Sequence, residues 1–348
     1  MNSCERISKI FQGLETDRAA VINLTSVLTL DSLNALGLKC PDVHLDAEKM
    51  AAAAAAAHEL CGFDSVMPKF SIVHSAAALG AEVDWRSSDF MPVITKRPIS
   101  DPEQFVLPGD FLDRPATKVV LDAIRLLKQR YGDSVAVAGK VFGPWTTAYN
   151  LVGTEEFLMG TLLDPAKTRR YLEVFTEVGI RYAEAQFEAG ADMMVWCDHA
   201  SGDMCSPKTY AEFLLPVQKR IFQTPLLKKS GPVILHACGR TLDRMKDFAE
   251  AGFDAFHFDS LNDTRQLLKE AGGKEGAAAA ATRNKLLLTG GLSNHTLLSG
   301  TPADVTCEVN DLLDAGLRLI SPECAIPMKV PNANLSAIRR AVDQYFSI

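Results

Sequence analysis

Three times in the C-terminal half of the chain, a helical pattern stops on a glycine and a β-rich run begins at once. The junctions are Glu188-Ala189-Gly190-Ala191-Asp192, Glu250-Ala251-Gly252-Phe253-Asp254 and Asp314-Ala315-Gly316-Leu317. Glycine closes a helix in the left-handed conformation at little cost, and so short a loop returns the chain directly to a sheet. Repetition of this punctuation predicts successive βα units. Their right-handed crossovers leave two outcomes, a closed barrel or an open doubly wound sheet.

The number of strand-like runs favours closure. Eight occur, at 20–24, 65–69, 135–139, 192–198, 232–236, 255–258, 286–290 and 317–321. Amphipathic patterns at 47–60, 165–189, 242–251 and 302–315 lie between them, and another at 4–12 precedes the first. The expected architecture is a (β/α)8 TIM barrel with an N-terminal helical extension and elaborated loops, one domain over residues 1–348. The proline-interrupted stretch Ser75 to Arg114 reads as a loop elaboration. The Gly/Ala-rich stretch Gly272 to Ala281 reads as an exposed loop or a helix extension.

Charge and hydropathy narrow the partners. The formal net charge of −7 argues against broad contact with nucleic acid or anionic lipid, which needs clustered Lys and Arg. No run approaches the roughly 18 apolar residues of a membrane span. The first residues show no basic-flanked apolar segment, so a cytoplasmic protein with reduced thiols is expected. Its eight cysteines then divide into packed thiols and metal ligands.

The segment Pro232-Val233-Ile234-Leu235-His236-Ala237-Cys238-Gly239 carries the chemistry. An apolar strand runs into a His-x-Cys pair, and in extended backbone residues two apart point the same way. Such a pair is also commonly a packed one. Cys324, in Ser321-Pro322-Glu323-Cys324-Ala325-Ile326-Pro327, follows the eighth run at what would be the same barrel face. Two thiolates and an imidazole suit zinc, and three protein ligands leave one position open, as catalytic sites do.

The segments Leu235 to Gly239, Thr289-Gly290-Gly291-Leu292 and Pro322 to Pro327, with Asn334-Leu335 beyond, resemble the uroporphyrinogen decarboxylase superfamily. Within it they are most similar to the zinc-dependent methylcobamide:coenzyme M methyltransferase branch. The resemblance implies zinc held by His236, Cys238 and Cys324. The arginine-bearing signature that grips substrate carboxylates in the decarboxylases is missing: the matching segment reads Val21-Ile22-Asn23-Leu24-Thr25-Ser26-Val27-Leu28. Porphyrinogen decarboxylation is therefore not expected.

The implied activity is methyl transfer between a methylated corrinoid protein and a thiol acceptor such as coenzyme M. Zinc would hold the thiol as its nucleophilic thiolate. Asp42-Val43-His44 does not continue as a cobalt-ligand Asp-x-His-x-x-Gly motif, so the corrinoid (methylcobalamin) is expected on a separate partner protein. Of the polar strand-end residues, Asp198 is a candidate for orienting substrate or a metal ligand, or else a helix cap. Asn294 is a candidate for contacting bound cofactor, or a turn residue. Asp259 has the same two readings as Asp198, with the structural one favoured; His257 reads as a core histidine; and Lys69 is a candidate for meeting an anionic group on the substrate, or else, as the favoured reading, a solvated lysine. Two other functions fit the same residues. One is methyl transfer from a small donor, such as a methoxylated aromatic, onto the corrinoid. The other is a non-catalytic corrinoid-protein docking module.

Overall fold

A computed structural model describes residues 1–85, 91–99, 101–224, 227, 230–272 and 286–347. Its strands are β1 (Ala20–Val21), β2 (Ser65–Val66), β3 (Glu82–Asp84), β4 (Val93–Lys96), β5 (Ala136–Phe142), β6 (Met193–Cys197), β7 (Val233–Ala237), β8 (Ala255–Phe258), β9 (Leu287–Gly290) and β10 (Leu319–Ile320). Eight of them form one parallel sheet in the order β1-β10-β9-β8-β7-β6-β5-β2. Asp64 N–H donates to the Val21 carbonyl at 2.6 Å, and Asn23 N–H to Ser65 Oγ at 2.7 Å, so the outer strands β1 and β2 meet. The result is the expected (β/α)8 barrel. Strands β3 and β4 form a separate antiparallel hairpin. That hairpin and the helix Val73–Ala78 occupy part of the stretch predicted to be loop. The Gly272 to Ala281 segment lies, from residue 273 on, outside the described residues.

Strand alternation sorts the side chains. Ala20, Ile22, Met67, Ala136, Ala138, Met193, Val195, Ile234, Ala255 and Leu319 form the apolar barrel interior. Ile7 and Ile10 of the helix Ser3–Phe11 join that cluster and plug its floor. The alternate set, including Val21, Val137, Met194, Trp196, Leu235 and Phe256, packs outward under the helices. Continued towards the C-terminal ends of the strands, the interior stripes arrive at Lys140, Cys197, His236 and His257. The barrel is thus apolar below and polar at its mouth.

The predicted junction glycines adopt the left-handed region, with φ of +107° at Gly190, +101° at Gly252 and +103° at Gly316. A fourth junction of the same kind, Gly62-Phe63-Asp64, precedes β2, with φ +79° at Gly62. The aspartate two residues after the glycine has a specific task. Asp64 accepts the N–H of Val21, Asp192 that of Val137 and Asp254 that of Val233, each at 2.8 Å. At the barrel floor each carboxylate satisfies a backbone donor of the neighbouring strand, which would otherwise be buried and unpaired.

Asp64 is the most heavily engaged of the three. It is fully buried and also accepts from Arg18, Arg6 and the Ser3 hydroxyl. Burial alone would raise its pKa, but the Arg18 bonds and charge, with Ser3 and the Val21 N–H, outweigh it and hold the carboxyl below its ordinary value. A depressed folded-state pKa gives stability that is present above the unfolded value and lost as pH falls through the folded one. Asp64→Ala removes the carboxylate shared by Arg6 and Arg18, which keep Asp17 and Asp343, leaves the buried Val21 N–H unpaired, and is expected to cost about 3 kcal/mol. Urea unfolding measures the loss, which should shrink as pH is lowered below about 4.

Candidate metal and active site

His236 lies on β7 and Cys238 just beyond it, and the period of two aims both into the mouth. Cys324 arrives on the loop after β10. His236 Nε2 stands 3.2 Å from Cys238 Sγ and 3.5 Å from Cys324 Sγ, and the two sulfurs are 3.0 Å apart. The structure therefore gathers the three residues that the sequence singled out. All eight cysteines are free thiols. Cys197 and Cys205 are buried, and burial pushes each thiol up to about 12, as suits packed thiols. In the Cys238–Cys324 pair, a hydrogen bond from Cys238 and the nearby His236 hold Cys324 well below the usual thiol range, while that same bond raises Cys238.

Carboxylates brace the loops that carry the sulfurs. Asp259 accepts the N–H of Gly239 at 2.9 Å, directly after Cys238. Glu323, next to Cys324, accepts the N–H of Ser260 at 2.9 Å and of Asn294 at 2.7 Å. Asn294 is a clamp on the same loop, its Nδ2 donating to the Ala325 carbonyl at 3.0 Å. Its buried Oδ1 has no hydrogen-bond partner among the described residues.

His257 is more than a core histidine. Its Nε2 lies 2.7 Å from the Pro322 carbonyl, which can only accept, so Nε2 carries the proton. Its Nδ1, 2.7 Å from His236 Nδ1, then accepts, and His236 must donate through Nδ1. This assignment follows from the hydrogen-bond network. It leaves the Nε2 lone pair of His236 facing the two sulfurs. Burial lowers the His257 pKa to about 3, which keeps the ring neutral.

Sequence reasoning missed two groups here. His199 brings a ring nitrogen into the cluster: the ligand atoms of His199, His236 and Cys238 lie within 4.8 Å of one another. Tyr149 OH is 2.9 Å from His199 Nδ1, which leaves the ring's other nitrogen for the cluster. Lys140, on the interior face of β5, was not singled out either. Lys69 corrects an expectation. It is fully buried, not solvated, and donates to Ser75 Oγ at 2.7 Å. A single sequence gives no sign of His199 or Lys140, because their proximity depends on strand register and loop path.

Asp198 meets a helix end. It shares the outward parity of Trp196, accepts the N–H of Thr146 at 2.9 Å in the first turn of the helix Pro144–Leu151, and meets Gln218 Nε2 at 3.3 Å. This geometry is that of the helix-capping alternative. Burial raises its pKa to about 7. A raised carboxyl pKa means that folding favours the protonated form, so stability declines as pH rises from the unfolded value towards 7. Asp198→Asn is expected to retain the cluster and to flatten the pH dependence of the urea midpoint between about pH 4 and 7. A variant that unfolds like the wild type at every pH would contradict this.

Comparison with known proteins places the chain. The family model described as Uroporphyrinogen decarboxylase (URO-D) matches residues 2–345. Methylcobamide:CoM methyltransferase MtaA of Methanosarcina barkeri is 28% identical over 349 residues, covering 98% of each chain. Methylcobamide:CoM methyltransferase MtbA of Methanosarcina acetivorans is 28% identical over 347 residues, covering 98% of this chain and 97% of its own. A solved methyltransferase from Methanosarcina mazei superposes with a TM-score of 0.91 at 26% identity, covering 99% of both chains. The chain belongs to the uroporphyrinogen decarboxylase family.

Proposed function

We propose that this protein is a zinc-dependent methyltransferase that moves a methyl group from a methylated corrinoid to the sulfur of a thiol of the coenzyme M type. One observation carries the reading. His236, Cys238 and Cys324 converge at the barrel mouth in a chain whose full-length relatives are named methylcobamide:CoM methyltransferases. The class, a corrinoid-dependent methyltransferase enzyme, is common to those relatives. Zinc and the particular thiol are the finer part of the proposal.

The donor set fits zinc by its chemistry. Two sulfurs and an imidazole nitrogen, already within 3.5 Å of one another, are soft and borderline ligands. His199 offers a further nitrogen beside them. Bound there, zinc would supply the Lewis acidity that keeps an incoming thiol deprotonated near neutral pH.

The chain's own residues do the rest. His257 fixes the His236 tautomer that presents a lone pair to the cluster, and such supporting partners tune ligand affinity. Asp259, Glu323 and Asn294 hold the two cysteine loops in place. Net transfer breaks the corrinoid–methyl bond, forms a carbon–sulfur bond and yields a thioether. The partner protein that carries the corrinoid docks over the C-terminal face, where the His236–Cys238–Cys324 cluster lies. No helix among the described residues is long and apolar enough to cross a membrane.

Elemental analysis of the wild type is expected to give about one zinc per chain, with marked loss in His236→Ala, Cys238→Ala and Cys324→Ala. His257→Phe should lower zinc affinity about 10–100-fold, measured by chelator competition. Folded protein that neither contains zinc nor takes it up would sink the zinc reading. With zinc established, consumption of methylcobalamin in the presence of thiols, followed by absorbance, tests the direction. Methylation of the reduced corrinoid by a methoxylated aromatic, without thiol turnover, would favour the reverse reaction.

A further inference from the structure

A second group of soft donors lies outside the His236–Cys238–Cys324 cluster. Cys40 and His44 sit one helical turn apart in the excursion after β1. The N–H groups of Asp42 and Val43 both donate to the Lys39 carbonyl, at 3.1 Å and 3.4 Å, so the turn that runs into the short helix Asp42–Leu45 already includes Cys40. Residues four apart on a helix share a face. That face meets Met328, which arrives from the loop that also carries Cys324. Cys40 Sγ is 3.8 Å from His44 Nε2 and 4.0 Å from Met328 Sδ, and all three side chains are buried. As hydrogen bonds these contacts stand at the outer limit for sulfur, and His44 Nδ1 has no partner among the described residues. As separations between metal ligands they are ordinary. An ion held trigonally, about 2.3 Å from sulfur and about 2.0 Å from nitrogen, sets two sulfurs about 4.0 Å apart and a sulfur and a nitrogen about 3.7 Å apart. The surroundings are apolar and aromatic: the rings of His74, Phe70 and Trp85 lie 5.3, 6.0 and 6.2 Å from that of His44. The nearby carboxylates are engaged elsewhere, Asp42 with the Lys49 ammonium and Asp46 with the N–H groups of Glu48 and Lys49.

We infer that Cys40, His44 and Met328 form a second metal site, which takes a soft monovalent cation of the Cu(I) class. A thiolate, a thioether and an imidazole select such an ion, and a pocket without a free carboxylate suits neither magnesium nor calcium. Binding replaces the thiol proton of Cys40 by the ion and releases that proton to solvent; no electron is exchanged. The site stands apart from the methyl-transfer reading and does not depend on it. Its position gives it a consequence. Met328 lies four residues beyond Cys324, and its carbonyl already accepts the N–H of Leu30 at 2.7 Å. An ion held by Cys40, His44 and Met328 ties the Cys324 loop more firmly to the segment after β1.

Anaerobic titration of the zinc-treated protein with Cu(I), in competition with bicinchoninate, tests this, with zinc measured in the same samples. The wild type is expected to bind one Cu(I) per chain and to keep whatever zinc it holds. Cys40→Ser should weaken Cu(I) binding by about tenfold or more and leave the zinc content unchanged. Met328→Leu removes the thioether at nearly constant volume, so it should fold and still weaken Cu(I) binding; it carries the test where Cys40→Ser does not fold. X-ray absorption at the copper edge should show two sulfurs and one nitrogen. A protein with both Cys238→Ala and Cys324→Ala, which lacks the sulfurs of the first cluster, should still bind one Cu(I) in competition with bicinchoninate. Cu(I) that enters only by expelling zinc would overturn the inference, as would binding lost in the Cys238→Ala, Cys324→Ala protein. Binding that neither Cys40→Ser nor Met328→Leu weakens would overturn it too. Absence of zinc or of methyl transfer would remove the function proposed above and leave this site standing.

Discussion

A parallel sheet has two edges until its first and last strands meet, and in this chain they meet at Asp64. Its backbone N–H reaches the Val21 carbonyl, and its carboxylate takes the Val21 N–H, Arg18, Arg6 and Ser3. Those bonds stand where the β1–β2 pair lacks a regular ladder. Without the seam, the interior stripes would open to water on one side, and the strand ends that build the mouth would lose their common centre. The same carboxylate-to-N–H bond recurs at Asp192 and Asp254, so the seam uses a device the rest of the barrel also uses.

From that floor upward, one rule places the chemistry. Interior positions alternate along each strand, apolar and small at the bottom, polar at the top. Ala136 and Ala138 are followed by Lys140, Ile234 by His236, and Ala255 by His257. Parallel register sets His236 beside Cys197 on one side and His257 on the other. A titratable group at the top of a stripe is shielded by the barrel wall, which explains why His257 is neutral. Outward parity has the opposite effect on Asp198. One step along β6 from an interior thiol, it meets a helix end instead of the mouth.

Much of this was legible in the residues. The glycine junctions, the count of eight runs and the His236–Cys238 spacing all rest on local rules, since left-handed closure and a period of two act over a few residues. The strand ends were overestimated for β1, β2 and β10, where Pro68 and Pro322 lie close beyond the ladder and cannot donate to it. The fourth junction, Gly62-Phe63-Asp64, carried the same signal and was passed over. Of the two readings for Lys69, the favoured one put it in solvent, because a lone lysine in a sequence gives no sign of the walls around it.

What the sequence by itself determined was the set of local units: helices that end on glycine, strands that alternate, and a histidine and a cysteine pointing one way. These need only neighbours a few residues apart. What the tertiary structure decided was every long-range meeting. Cys324 reaches Cys238 from 86 residues away, and His257 reaches His236 from 21. Barrel closure and strand register fix those distances, and both are properties of the whole packed chain.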